Sequence, residues 1–439
     1  MTVIESIASG VATGRSEYEH IMAHSIDADL FEYAEKHVFE SRAIESELAL
    51  GDNVNYMKWL LDNGYAGKFR LIYIDPPFFT KAKYNATVNV RDASGTSRKI
   101  HHLAYDDRFE RNLEFYVENM TVRLLMIKEL LADDGLVWVH LDWHSSHYIK
   151  LILDELMGEK NFVNEIIWSY KSGGSAKKHF SRKHDSILVY SKTGNYFINV
   201  PEEKSYNRGF KPYNFKGVKE YQDENGWYTL VNMKDVWSID MVGRTSKERT
   251  GYATQKPLEL MKRIISSSSN EGDLVGDFFC GSGSFIEAAE QMGRRWVGCD
   301  NEELATAMAK KRLDLIEANY TYRSETKQPL RLGRVKLKKN MEEELQNGKK
   351  ALSCAITAFD PDIEIGYIQF ADRQYVKEAL ATNTLQFIDY VMIDPDYRDK
   401  FACEIVVEEG FDNMRFISPG NAAMVIVDVL GREYFVKLD

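Results

Sequence analysis

Residues 273–300 read DLVGDFFCGSGSFIEAAEQMGRRWVGCD, and this stretch decides the fold. DLVGDFF is a short apolar strand, CGSGS a turn, FIEAAEQM a helix and WVGCD a second strand. Gly281 and Gly283 allow a tight turn and close approach of a ligand to the backbone, and a helix N-terminus follows with free N–H groups. Asp277 ends the first strand, two residues before Phe279. Asp300 ends the second strand, where ribose hydroxyls are held in dinucleotide-binding folds. A lone G-x-G fits an empty strand–helix turn equally well. An acidic residue closing each of two successive strands favours a nucleotide-like cofactor. No phosphate-gripping Lys is present and the third glycine position is Glu287, so a cofactor without a pyrophosphate is expected rather than NAD.

Working outward, FRLIYID from Phe69 is a second buried strand, and it must stop at Asp75 because Pro76 and Pro77 follow. Leu113, Val117, Met120, Leu124, Ile127 and Leu131 step by four and three, predicting a helix with Gly135 placed to cap it. The strand LVWVHLD, a helix over Ile149–Met157 and a strand over Asn164–Trp168 continue the α/β succession. Residues 169–250 change in texture, rich in Lys, aromatics, Gly and Asn with short strands such as Ile187–Tyr190, and read as an insertion. Helices over Pro257–Ser269 and from Glu302 to Glu317 flank the opening stretch. The division expected is a helical extension over 1–48, a main α/β domain over 49–168 and 251–322, an insertion over 169–250, and a connector with a small β-rich domain over 323–439.

Composition sets limits on function. The 439 residues carry a net charge of -11, so any nucleic-acid surface must be local, since affinity for phosphates comes from clustered Lys and Arg. Cys280, Cys299, Cys354 and Cys403 show neither pairing nor metal spacing, and His101-His102 adds none, so no metal is expected and the compartment reads as a reducing cytoplasm. The start MTVIESIASG lacks the basic and apolar regions of a secretory signal, and no apolar run approaches the ~20 residues of a membrane span.

The chemistry is concentrated in Asp75-Pro76-Pro77-Phe78, at the carboxyl end of a strand, where open α/β sheets bind ligands. Two prolines hold backbone carbonyls rigidly, so one carboxylate and one carbonyl can accept both hydrogens of an amino group while the ring of Phe78 stacks on a planar base. Such acceptors stabilise charge on an aromatic amine as an alkyl group arrives, which is electrostatic and orientational catalysis. The bland alternative is a strand ending in a Pro-rich turn with Asp75 as a cap.

Together the two constellations resemble the amino-methylating DNA methyltransferases, with their catalytic D-P-P-[YF] and D-x-F-x-G-x-G cofactor loop. The catalytic motif precedes the cofactor loop by about two hundred residues, an order similar to the permuted β group that includes modification subunits of type III restriction systems. Thr254-Gln255-Lys256-Pro257-Leu258 looks like the T-Q-K-P-L that lines the methionine end of the cofactor, and Gly51-Asp52-Asn53 like the G-D-N placed near it. Asn164–Trp168, the Gly173-Gly174 turn and Asp235-Val236-Trp237 fit the same pattern, and the match runs over roughly 45–320. The resemblance implies a Rossmann-like S-adenosylmethionine-dependent sheet with an inserted target-recognition region. It also implies S-adenosyl-L-methionine as cofactor and N6 of a flipped-out adenine as target. Cytosine N4, a non-catalytic DNA-recognition subunit, and a protein or RNA target stay open as alternatives. Phe79 replaces a common Asn, Phe278 a Pro and Ser284 a Thr, and none of these removes a group the mechanism needs.

Lys171, Lys177, Lys178, Arg182 and Lys183 form a local basic surface in the insertion, joined by Arg208 and Lys211 among interleaved aromatic rings, which suits DNA phosphates and bases. A solvated charged loop is the bland reading of the same run. His140 and Asp142 point towards the ligand edge and are expected in a supporting role. Double-stranded DNA, a second copy of the chain and a restriction or specificity subunit are the expected partners. The chain carries no P-loop of its own, so no ATP-driven motor.

Overall fold

A computed structural model describes the chain except residues 28–29, 32, 40–42, 81–82, 92–96, 107–111, 172–175, 244, 253, 326–333, 346–347 and 439. The Gly173-Gly174 turn therefore lies outside the described residues.

Its centre is an eleven-stranded sheet in the order Val236–Ser238, Phe162–Ser169, His184–Ser191, Leu131–Leu141, Phe69–Ile74, Leu274–Asp277, Arg295–Asp300, Glu47–Leu50, Tyr320–Ser324, Tyr33–His37, Ala402–Cys403. The six strands from Leu131–Leu141 to Tyr320–Ser324 are all parallel. Such strands are covered on both faces, so they run apolar almost without a break while their side chains point alternately to the two layers. Phe69, Ile72, Ile74, Val137 and Val139 face a core built with helices Asn53–Asp62, Leu113–Leu130 and Ser146–Leu153. Leu71, Tyr73, Leu136 and Trp138 face helices Leu258–Ser268, Ser284–Gln291 and Glu303–Leu315 on the other side. The result is a three-layered α/β/α sandwich.

Several expectations change. Among the described residues of 1–48 the helix is confined to Val3–Ala23; Tyr33–His37 and Glu47–Leu50 are strands of the main sheet. Gly135 caps nothing, because the helix ends at Leu130 and the strand Leu131–Leu141 starts at once. There a Cβ would meet the Phe69 carbonyl at 2.7 Å, so glycine serves the close approach of two strands. The helix expected over Ile149–Met157 is α-helical over Ser146–Leu153 and continues as one π turn.

The insertion is not one body. His184–Ser191 is an antiparallel strand inside the main sheet and Val236–Ser238 forms its edge. Only Glu202–Tyr206, Glu220–Asp223 and Gly226–Asn232 make a separate three-stranded sheet.

The C-terminal region is β-rich as expected, with two small sheets and one helix, Arg373–Thr382. It shares a core with a hairpin the sequence did not announce, Lys83–Arg91 with Ser97–Asp106: Val88, Val90 and Ile100 pack among Ile356, Val376, Phe387 and Met424. Among the described residues no helix is long and apolar enough to cross a membrane.

Candidate active site

Strand order reverses between Phe69–Ile74, whose next main-sheet strand Leu131–Leu141 lies on one side, and Leu274–Asp277, whose next strand Arg295–Asp300 lies on the other. Adjacent chains leave such a point in opposite directions and open a crevice at the carboxyl ends. A cavity of about 330 Å³ opens there. Asp75, Asp277 and Asp300 reach its wall from three neighbouring strands, and Asp52 from the start of the helix after Glu47–Leu50.

At the catalytic corner, Lys256 forms an ion pair with Asp75 Oδ2. Asp75 Oδ1 is buried and meets no hydrogen-bond partner among the described residues. A buried carboxylate oxygen left without a donor is costly, so it is a place where an incoming N–H is worth most. The Phe78 ring stacks on His140 with centroids 6.2 Å apart, and His140 is held by the Tyr73 hydroxyl at 2.9 Å and by Asp185 at 3.2 Å. His140 thus supports the aromatic wall, in keeping with its expected role, while Asp142 accepts from the backbone N–H of His144. The Tyr116 hydroxyl donates to the Pro77 carbonyl at 3.1 Å and its ring stacks on Phe79. Phe79 sits at a φ of 61°, an uncommon conformation for a bulky residue, which turns the chain away immediately after the motif.

The cofactor loop is braced by its own acids. Asp277 Oδ1 accepts from the Phe279 N–H at 3.0 Å, and Asp300 accepts from Gly281 N–H at 2.7 Å and Glu302 N–H at 3.0 Å. Gly283 stands at the N-cap of Ser284–Gln291 with a φ of 81°, and a Cβ there would come within 2.9 Å of Ala309. Phe278, in place of Pro, is fully buried against Phe69. Ser284 receives a hydrogen bond from Arg312 and Glu287 pairs with the same guanidinium at 2.8 Å, so the third glycine position faces a neighbouring helix.

Burial holds the Asp277 carboxyl well above the usual range, with Asp75 and Asp300 pushing it further the same way. Burial also raises Asp300 and Glu302. The wall is therefore rich in carboxylates that would gain from a cation.

Of the residues singled out from sequence, Asp75, Pro76, Pro77, Phe78, Asp277, Phe279, Gly281, Asp300, Gln255, Lys256 and Asp52 all line the cavity. Gly283 and Pro257 stand off the wall, each as the N-cap of a helix. Two roles shift. The Lys256 ammonium is on Asp75, and the Gln255 amide is spent on Thr250 and the Glu248 carbonyl, shaping the loop. Asp52 caps its helix through Val54 N–H and lies 3.5 Å from Arg123.

Sequence reading missed Arg123, Tyr116 and Tyr252, which also line the cavity, as does Asn53 of the Gly51-Asp52-Asn53 motif. Asn53 donates to the Phe278 carbonyl and accepts from Arg123, tying the cofactor loop to helix Leu113–Leu130. Asn53 stood in a quoted motif and was readable; Arg123 looked like an ordinary cation between apolar helix positions.

The predicted basic surface is split. The connection carrying Lys171, Lys177, Lys178, Arg182 and Lys183 joins Phe162–Ser169 to His184–Ser191 at the carboxyl edge, the edge that bears the cavity. On it Arg182 lies over the Trp143 ring at 3.8 Å and Phe180 is 98% exposed. Arg208 and Lys211 belong to the small separate sheet, whose stem leaves the opposite edge: Lys192 N–H donates to the Gly135 carbonyl and Phe197 N–H to that of Asp134.

A sequence profile of the DNA methylase family matches residues 69–311. The type II methyltransferase M.EcaI of Enterobacter cloacae is 30% identical over 331 residues, covering 60% of this chain and 70% of that protein. The type III restriction-modification enzyme EcoP15I Mod subunit of Escherichia coli is 29% identical over 279 residues, covering 52% of this chain and 42% of the subunit. Among solved structures, the M1.HpyAVI–SAM complex superposes on 61% of this chain and 98% of that one, with 19% identity and a TM-score of 0.39.

Proposed function

The chain belongs to the N6/N4 family of DNA methylases, and from that premise we propose that it methylates N6 of a flipped-out adenine in duplex DNA, site-specifically, with S-adenosylmethionine as donor. The observation that carries the reading is Asp75: one oxygen held by Lys256, the other buried without a partner, beside two proline carbonyls and a supported aromatic ring. Asp75 Oδ1 accepts one amino N–H and the Pro76 carbonyl the other, while Phe78 stacks on the base. Both acceptors favour the nitrogen as it turns pyramidal and positive, and Asp75 is placed to take the proton it then loses.

The residues present suit the cofactor. S-adenosylmethionine, when bound, supplies a methyl group activated by a positive sulfonium, and it carries an ammonium as well. Asp277, held by burial short of a counter-charge, suits such a cation, and Asp300 with Glu302 suits ribose hydroxyls. The Lys171–Lys183 connection, on the same edge as the cavity, follows the DNA backbone with its cations. Base extrusion is required because an enzyme cannot reach the reacting atom of a base that stays stacked inside a duplex. A restriction-modification setting is the one the name of the EcoP15I relative describes.

The test is incubation with labelled S-adenosylmethionine and mixed-sequence duplex DNA, followed by digestion to nucleosides. Label in N6-methyldeoxyadenosine supports the reading. Label in N4-methyldeoxycytidine moves the target to cytosine, and tight DNA binding without label leaves a recognition subunit.

A further inference from the structure

At the amino edge of the same sheet, opposite the cavity, the imidazole of His37, the carboxylate of Asp314 and the thiol of Cys403 meet in a fully buried space. Their ligand atoms all lie within 4.8 Å of one another. Each comes from a different part of the chain: strand Tyr33–His37, helix Glu303–Leu315 and the C-terminal strand Ala402–Cys403. The backbone brings them together unaided. His37 stands opposite Cys403 in a parallel pair, and Val38 N–H donates to the Cys403 carbonyl at 2.8 Å.

The side chains are less content. His37 Nδ1 is 2.7 Å from Asp314 Oδ1 and Nε2 is 3.3 Å from Glu35 Oε1. Yet neither ring nitrogen, nor Asp314 Oδ2, nor Glu35 Oε1 is aligned in a hydrogen bond. Nine in ten or more buried polar groups are hydrogen-bonded, so a buried cluster whose contacts are ion pairs by distance but not aligned hydrogen bonds calls for an explanation. A nitrogen, an oxygen and a sulfur donor held within 4.8 Å of one another and away from solvent can converge on one ion. Asp314 Oδ1 is engaged by the Tyr320 hydroxyl at 2.8 Å, which leaves Oδ2 as the free ligand oxygen. Glu35 faces the other ring nitrogen and is steadied by Lys310 at 3.2 Å, the outer carboxylate that metal-ligating histidines usually have.

We propose that His37, Asp314 and Cys403 bind a divalent transition cation of the zinc class, which staples the C-terminal region to the edge of the methyltransferase sheet. A nitrogen, oxygen and sulfur donor set excludes magnesium and calcium, which take oxygen ligands, and matches zinc with bonds of about 2.0–2.3 Å. The cysteine and histidine spacings that argued against a metal could not reveal this site, because its ligands lie far apart along the chain.

The test is metal analysis of the full chain by plasma mass spectrometry after dialysis. One zinc ion per chain is expected, lost in a His37→Gln/Cys403→Ser double variant and kept in Cys354→Ser. Cobalt(II) introduced by refolding gives a thiolate-to-cobalt charge-transfer band in the near ultraviolet, absent from Cys403→Ser. Circular dichroism of each variant separates loss of the ion from loss of fold. A folded chain that contains no metal and takes up neither zinc nor cobalt on refolding overturns the proposal, as does metal retained by the folded double variant.

Discussion

Asp75 concentrates the chemistry in one side chain, and its two oxygens have different tasks. Replacing it with Ala removes the amino-group acceptor while leaving the cofactor loop, braced by Asp277 and Asp300, in place. Methyl transfer should fall by at least about 10²–10³-fold, the usual cost of one preorganised polar group at a reacting centre, while cofactor affinity measured by calorimetry changes little. Retained turnover would remove Asp75 from the catalytic role. Asp277 sets a second expectation at this scale. Its carboxyl holds a proton to higher pH than an ordinary Asp, and a cationic ligand favours the ionised form. Cofactor binding should release protons and strengthen as pH rises, visible as a binding enthalpy that differs between buffers of unlike ionisation enthalpy. Asp277→Asn should abolish that difference.

Loops and turns bring a different scale of effect. If the Lys171–Lys183 connection lies along DNA, each cation it places on a phosphate adds about 0.9 to the salt slope of binding. Lys177→Ala/Lys178→Ala/Lys183→Ala should therefore flatten the dependence of DNA affinity on salt in fluorescence anisotropy, while Arg208→Ala/Lys211→Ala, beside the separate small sheet, should change it less. Equal effects would mean that DNA also reaches the small sheet. The turn between strands Ala422–Asp428 and Glu433–Leu438 makes a stability statement. Asp428 accepts from Leu430 and Arg432 N–H and from the Tyr434 hydroxyl, and burial raises its pKa from 3.8 to about 6. Between those values the folded chain binds the proton and the unfolded chain does not, so this group's contribution is full at low pH and is lost as pH rises towards 6. Two units at about 1.4 kcal/mol each give a loss of about 3 kcal/mol. Asp428→Asn keeps both backbone hydrogen bonds and should gain on the parent over that window in urea unfolding, with a constant difference above it. A difference independent of pH would contradict the assignment.

For the molecule as a whole, cohesion between the sheet and the C-terminal region runs through Lys310, which is buried with Glu35 at 3.2 Å and Glu433 at 2.5 Å. Removing one partner of a buried ion pair costs about 3–5 kcal/mol because the other charges stay buried. Lys310→Met should lower the melting temperature by several degrees in scanning fluorimetry, and an unchanged melting point would show that the region docks by other means. Gly431 belongs to the same contact: its φ is 84° and a Cβ would collide with Ala307 on helix Glu303–Leu315.

By itself the sequence determined the α/β character, the order of the two motifs and the acidic and catalytic residues of the cavity wall. Those features are local: an apolar run that must end at a proline pair, a glycine turn before a helix, an acid closing each strand. Tertiary structure alone decided the rest. It put Lys256 on Asp75 and Gln255 on its own loop, because which of two nearby groups a cation meets depends on how distant strands align. It split the basic insertion between a connection at the carboxyl edge and a separate small sheet, since the antiparallel strand His184–Ser191 carries the chain away from that edge. It also brought His37, Asp314 and Cys403 together, which no spacing along the chain records.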